Sequence, residues 1–80
     1  MTTYKLTPTW QVISTTNCLI QAEGTEQVRL YYGDAEPASF YDAFTMPDRI
    51  EPRWWPAPGS GSIYAAVMTG TAILRVAEEL

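Results

Sequence analysis

Apolar residues along this 80-residue chain mostly recur at every second position, and residues that break strands arrive every ten residues or so. That spacing is typical of an all-β sandwich or barrel, and no convincing amphipathic helical period accompanies it. The pattern therefore predicts one small antiparallel β-sandwich or barrel of about six to seven short strands.

The clearest predicted strand is "EQVRLYYG". Val28, Leu30 and Tyr32 form its apolar row, while Arg29 and Tyr31 fall on the opposite row. Such alternation indicates a strand with one buried face and one wetter face.

The C-terminal segments "SIYAAVM" and "TAILRVAEE" predict a hairpin joined at "MTGT", where Gly70 supplies the positive φ of a tight turn. Its last strand has the apolar row Ala72, Leu74 and Val76. Two shorter strands are predicted at "WQVIS" and "CLIQAEG", and "PASFYDAF" has the composition for one helical turn or an irregular loop.

The domain boundary is predicted near the N-terminus. Residues 1–9 are mostly polar and bounded by a proline, which favours an extended arm, either flexible or added as a strand to a neighbouring chain. Residues 10–80 then form the single β domain. Within it, "DRIEPRWW" predicts an edge strand or a strand with a bulge at Pro52, because Pro52 has no backbone N–H to donate.

Charge and cysteine content narrow the class of function. The net charge is −4, and the five cationic side chains are scattered along the chain, which argues against nucleic acid as a partner. With no His and a single Cys18, the chain has neither an internal disulfide nor a Cys/His zinc cluster. Cys18 is expected to be an inert core thiol. No run approaches the roughly 20 apolar residues of a membrane span, so no membrane partner is expected.

No catalytic, cofactor-binding or metal-binding residues are predicted, and the chain is not expected to be an enzyme. A nucleophile would lack a histidine base. Carboxylates beside turns are ordinarily solvated, and the loops lack the ligand spacing of a calcium site or a phosphate-binding glycine motif. The carboxylates near loops are Asp34, Glu36, Asp42, Asp48 and Glu51.

Aromatic residues are the remaining candidates for function. Adjacent residues of a strand point to opposite faces, so Trp54 and Trp55 are expected to divide, one for the core of this domain and one for a neighbour. Trp, Tyr and Arg are enriched where interfaces are strongest. The predicted interface residues are Trp54, Trp55, Arg53, Tyr4, Trp10 and Tyr31.

Two segments, "TTNCLIQAEGTEQVRLYYG" and "GSIYAAVMTGTAILRVAEE", cover about half the chain and carry a resemblance. Their order of turn and core residues resembles small β-rich structural proteins of tailed bacteriophage virions, of the capsid-decoration or fibre-base type. The segment "EPRWWPAPG" is richer in tryptophan than that pattern. The resemblance implies a homo-oligomer, often a trimer, located in the virion, made in the cytoplasm of the bacterial host, and bound to capsid or tail proteins.

Three functional hypotheses remain open at this point. The first is a virion structural protein, a capsid decoration or head-fibre or tail attachment subunit, that acts by oligomerisation and burial of surface. The alternative is a carbohydrate- or peptide-binding module that uses an exposed tryptophan. A third is an acidic inhibitor of a host enzyme, which predicts salt-sensitive binding to a basic partner.

Overall fold

The computed structural model describes residues 1–24, 26–45, 53–55 and 61–78, and of residues 53–55 it describes the backbone alone. The strands in these ranges are β1 (Thr2–Leu6), β2 (Gln11–Ser14), β3 (Cys18–Glu23), β4 (Val28–Gly33), β5 (Phe44–Thr45), β6 (Arg53–Trp55), β7 (Ser62–Val67) and β8 (Ala72–Glu78). Of the two alternatives predicted for "PASFYDAF", one helical turn or an irregular loop, the structure has the first, a 3₁₀ turn at Phe40–Asp42. The predicted all-β class is confirmed, with eight strands in the described ranges where six or seven were expected.

The strands form two antiparallel sheets of four. The first sheet has the order β1-β8-β3-β6 and the second has the order β2-β7-β4-β5. The pairs β1–β8, β2–β7, β3–β6 and β4–β5 are nested about the β4–β5 connection, as in one long hairpin. Two further pairs, β3–β8 and β4–β7, roll this hairpin into two layers. This is the strand order of a jelly roll, and it confirms the predicted small antiparallel sandwich.

The predicted C-terminal hairpin is wrong. Its two strands are correct, but β7 lies in the second sheet and β8 in the first. Each strand has one buried row, with Ala65 and Val67 on β7 and Leu74 and Val76 on β8, and all four belong to one core cluster. The connection therefore crosses from one layer to the other instead of closing a ladder. Gly70 does adopt the predicted positive φ, at 70°.

The predicted N-terminal arm over residues 1–9 is also corrected. Residues Thr2–Leu6 form β1, which pairs with β8 of the same chain from Thr2 opposite Val76 to Leu6 opposite Ala72. Leu6 is completely buried, which gives this strand an apolar anchor in the core. The polar composition of the segment reflects an edge strand, because only one of its faces needs apolar side chains.

The core lies between the two sheets and follows the predicted alternation. The buried rows include Val28 and Leu30 on β4, and Ala72, Leu74 and Val76 on β8, as expected from their spacing. The whole cluster is Leu6, Ile13, Cys18, Ile20, Ala22, Val28, Leu30, Ile63, Ala65, Val67, Ala72, Leu74 and Val76. The cluster combines branched aliphatic side chains with the small residues Cys18, Ala22, Ala65 and Ala72.

Two local irregularities shape the ends of the sandwich. The register of β2 against β7 shifts between Val12 and Ser14, a bulge that leaves both Ile13 and Ser14 buried. At the end of β4, Gly33 and Gly61 approach so closely that a Cβ on Gly61 would lie 2.6 Å from the carbonyl oxygen of Gly33. Gly61 also has a φ of 80°, so glycine is required there for two separate reasons.

Candidate interaction surface

The outward side of the first sheet, called the first outer face below, has its side chains aligned in rows across the strands. Inward positions of this sheet fill the core, and strand alternation turns the intervening residues outward. The pairing register defines three outward rows: Lys5, Ile73 and Glu23; Thr3, Arg75 and Gln21; and Leu19 with Ala77. One end of the face is therefore apolar, and the other carries both signs of charge.

The apolar end of the first outer face forms a shallow depression. Leu19 is 41% exposed and Met1 is 89% exposed. Together with Gln21, Arg75 and Ala77 they line a mostly apolar hollow of about 90 Å³. Pockets for drug-sized ligands enclose roughly 300 to 1,000 Å³. The hollow has room for one inserted side chain, so it suits an anchor from another protein.

At the charged end of the first outer face, Arg75 and Glu23 form an ion pair. Nη1 of Arg75 lies 2.8 Å from Oε1 of Glu23, and the two side chains are 36% and 54% exposed. The nitrogen makes no aligned hydrogen bond, so the contact is a charge contact alone. Exposed pairs of this kind add little to stability because water screens them. Lys5 lies in the row of Glu23, on the opposite side of Ile73, and is exposed.

Three of the predicted interface residues lie on β6. The register sets Trp54 opposite Leu19, an outward position of β3. Arg53 and Trp55 stand opposite Ile20 and Cys18, which are inward positions. Directly opposed residues of an antiparallel pair share a face. The register thus sets Trp54 in the row of Leu19 and Ala77, while the predicted bulge at Pro52 lies outside the described residues.

Two other predicted interface residues have contacts inside the domain. Tyr4 is half-buried, packs against the core cluster, and donates a hydrogen bond from its hydroxyl to the carbonyl of Ile13 at 3.2 Å. It therefore links β1 of the first sheet to β2 of the second. Trp10 stacks on Phe40 with the ring centroids 5.2 Å apart, and so attaches the 3₁₀ turn to the start of β2. Tyr41, in the same turn, is 79% exposed.

Tyr31, the last predicted interface residue, lies on the outward side of the second sheet, called the second outer face below. It stands in one row with Tyr64 and Val12. Its ring covers Gly33, where an added Cβ would lie 2.7 Å from Cε2 of Tyr31. The hydroxyl of Tyr64 donates to the carbonyl of Asp34 at 3.4 Å. Both tyrosines, which are half-buried, thus cover the backbone of their own domain.

A small polar cluster closes one end of the sandwich. Ser14 is buried and donates a hydrogen bond to Oε2 of Glu78 at 2.8 Å, while it accepts one from the backbone N–H of Thr16 at 3.1 Å. Cys18 lies beside it and is fully buried, as predicted. Burial raises the pKa of the Cys18 thiol, the hydrogen bond with Ser14 lowers it, and the charge of Glu78 raises it. The pKa of Tyr32 is likewise raised, by burial and by the nearby thiol.

The remaining acidic candidates do not converge in the described part of the chain. Asp34, Glu36 and Asp42 are exposed, and Asp48 and Glu51 lie outside the described residues. No group of three or more Cys, Asp or Glu side chains in the described ranges is placed to hold a metal ion. No helix among those same ranges is long and apolar enough to cross a membrane.

The residues that make the first outer face distinctive were absent from the predicted interface set. They are Met1, Leu19, Arg75 and Ala77. A signal for Leu19 was present, since Cys18, Leu19 and Ile20 are three apolar residues in a row and strand alternation turns the middle one away from its neighbours. No such signal existed for Met1 or Ala77, whose proximity depends on the pairing of β1 and β3 with β8.

Comparison of the chain with protein-family models, with curated proteins and with solved structures finds no match. The chemistry of the surface therefore carries the functional argument.

Proposed function

We propose that this protein is a structural subunit of a tailed-bacteriophage virion that acts by burying surface against copies of itself and against capsid or tail proteins. The observation that carries the proposal is the first outer face. Its open apolar hollow is too small for a drug-sized ligand and has room for an anchor side chain. Trp54 holds the adjacent outer register position, and tryptophan is the residue most typical of an interface anchor.

The size and topology of the chain support this proposal. A domain of 80 residues buries a limited fraction of its surface and often gains stability by associating. The jelly-roll strand order is frequent in viral capsid domains, although it also occurs in lectins. The resemblance of "TTNCLIQAEGTEQVRLYYG" and "GSIYAAVMTGTAILRVAEE" to phage structural proteins favours the virion.

The test is quantitative mass spectrometry of purified particles of the phage that encodes the chain. Incorporation is expected, and a copy number in the hundreds indicates capsid decoration, whereas a dozen or fewer indicates the neck, tail or fibres. Absence from washed, infectious particles, together with a 9.0 kDa mass by light scattering at every concentration, contradicts the proposal.

A carbohydrate- or peptide-binding module is the second candidate, favoured by the outer register position of Trp54. It predicts a saturable change in tryptophan fluorescence during titration with a glycan or peptide. In this case Trp54→Ala abolishes the change and leaves the oligomeric state as it was. Under the virion proposal, the same substitution weakens association instead.

A further inference from the structure

We infer that the first outer face is a self-association surface, on which a second copy docks face to face about a two-fold axis parallel to β8. This inference rests on the self-association in the proposed function and adds the symmetry and the contacts. In the first sheet, β8 has β1 on one side and β3 on the other.

The two-fold axis follows from the row pattern. A two-fold rotation about an axis parallel to β8 brings β1 of one copy opposite β3 of the other. It leaves each row at the same position along the strand direction. Residues of β1 then meet residues of β3 in the same row of the second copy. Lys5 and Glu23 both stand opposite Ile73. Each Lys5 therefore faces the Glu23 of the other copy, which gives two identical contacts between opposite charges.

The apolar end matches itself under the same rotation. Leu19 and Ala77 share a row, and Met1 borders the same hollow at the β1 side. In the second copy, Met1 and Leu19 exchange sides, so Met1 of one copy is directed at the Leu19 side of the other. An isologous interface needs this self-complementary arrangement, in which residue i meets j and j meets i.

Arg75 lies near the axis, where it meets its own copy. Its Nη1 is held 2.8 Å from Oε1 of Glu23, so the side chain leans toward β3. The rotation turns β3 of the two copies to opposite sides, and the two guanidinium groups therefore diverge from the axis. The like charges at the centre are thus separated and each is partly neutralised.

The other two-fold axis, in the plane of the interface but perpendicular to β8, is disfavoured. It reverses the order of the rows, so that the row of Lys5 and Glu23 meets the row of Leu19 and Ala77. Charged groups would then be desolvated against apolar side chains without a partner, which costs free energy. The charge pattern therefore selects the axis parallel to β8.

The contact area predicts a weak dimer. Under this rotation β1, β8 and β3 each face a strand of the second copy, whereas β6 faces none. Three strands spaced about 4.8 Å apart and about six residues long, at roughly 3.3 Å per residue, give a footprint of about 300 Å² per copy. Two copies bury about 600 Å² in total on this count, well below the roughly 1,200 Å² at which stable interfaces begin. Association is expected at high micromolar concentration or where other contacts concentrate the copies, and the trimer predicted from the sequence would need a further contact.

A mixing experiment tests the two-fold contact. In Lys5→Glu every copy carries glutamates at positions 5 and 23, and in Glu23→Lys every copy carries lysines there, so each variant repels itself at both contacts. A mixed dimer of the two variants has two opposite-charge contacts. We expect each variant alone to dimerise at least about tenfold more weakly than the wild type and the equimolar mixture to recover the wild-type affinity, measured by sedimentation equilibrium at several hundred micromolar.

A cross-linking experiment on the wild-type protein removes any dependence on variant folding. Lys5 is the sole lysine in the sequence, so a carbodiimide can couple one side-chain amine to a nearby carboxylate. In a mixture of ¹⁴N- and ¹⁵N-labelled chains, a Lys5–Glu23 link between a light and a heavy peptide is expected. Recovery of the wild-type affinity in the equimolar mixture of variants, together with this cross-link, supports the inference.

Three results overturn it. They are wild-type affinity in either variant alone, failure of the mixture to associate when the wild type does, and links between copies that omit Glu23. Any of these, in a protein that still self-associates and is found in particles, rejects the two-fold contact and leaves the proposed function standing. Absence from particles with the mixed dimer intact rejects the virion role and keeps the contact.

Discussion

The two outer faces of the sandwich use similar residue types for different purposes. On the second outer face, the ring of Tyr31 covers Gly33 and the Tyr64 hydroxyl binds the carbonyl of Asp34. On the first outer face, Leu19 and Met1 border an open apolar hollow. Tyr31 and Tyr64 thus cover the backbone of their own domain, whereas the apolar hollow bordered by Leu19 and Met1 stays open. Residue type alone does not distinguish the two cases, whereas the contacts of each side chain do.

The largest expected effect on the free energy of unfolding is at the close approach of Gly61 to Gly33. Gly61→Ala places a Cβ 2.6 Å from the carbonyl oxygen of Gly33, at a φ of 80°. We expect a loss of about 3 to 4 kcal/mol in the free energy of unfolding, because backbone must move and the residue is strained. Urea unfolding followed by tryptophan fluorescence measures it.

Gly70→Ala is the matched control for that substitution. Its φ of 70° imposes a similar strain, but the nearest atoms to a new Cβ belong to the side chain of Glu26, which can move. A loss of about 1 kcal/mol is expected. Equal losses for the two variants would show that the close approach of Gly61 to Gly33 contributes nothing.

Tyr31→Ala and Leu19→Ala compare the two faces directly. Tyr31→Ala uncovers Gly33 and is expected to lower the free energy of unfolding by about 1 to 2 kcal/mol. Leu19→Ala removes an exposed side chain and is expected to change it by less than about 0.5 kcal/mol. The measurement is thermal unfolding below the concentration at which the protein associates. The reverse order of the two losses would contradict the assignment of the faces.

The pH dependence of stability tests the core that both faces enclose. The folded pKa of Cys18 is raised above the ordinary thiol value of 9.0, mainly by burial. The stabilisation is therefore fully present below pH 9.0, and it is lost as the pH rises through the raised pKa of the folded state. Tyr32 adds the same trend above its ordinary value of 10.0. Urea unfolding at pH 8 and pH 10.5 is expected to show a smaller loss in Cys18→Ala than in the wild type.

The smallest expected effect belongs to the ion pair on the first outer face. Glu23→Gln removes the charge that lies 2.8 Å from Arg75. Because both side chains are well exposed, the free energy of unfolding is expected to fall by less than about 0.5 kcal/mol. A loss above 2 kcal/mol in thermal unfolding would show that the pair serves the domain itself and is not reserved for a partner.

The alternation of apolar residues was sufficient to predict six of the eight described strands and much of the core, whereas β1 was interpreted as an arm and β5 was not predicted. Val28, Leu30, Leu74 and Val76 are buried as their spacing required. The partners of the strands were not predictable in the same way. A strand with one buried row can pair in either layer of a sandwich, so nothing in "SIYAAVM" excluded a direct hairpin with the strand that follows.

The candidate site was predictable only in part, for a related reason. Alternation required Trp54 and Trp55 to occupy opposite register positions, and the pairing with β3 sets Trp54 opposite Leu19. Burial of one tryptophan in the core and of the other against a neighbour stays a prediction. Tyr4 and Trp10 were chosen for their residue type, but their contacts with Ile13 and Phe40 depend on the packing of distant segments.

The most direct test of the account compares one substitution on each outer face. Leu19 and Val12 are 41% and 48% exposed, lie on opposite outer faces, and are each replaced by lysine. Sedimentation velocity over a concentration series is expected to show self-association in the wild type and in Val12→Lys, and a 9.0 kDa monomer throughout in Leu19→Lys. Undiminished self-association of a folded Leu19→Lys, or its loss in Val12→Lys alone, would contradict the claim that the first outer face is the surface through which this protein acts.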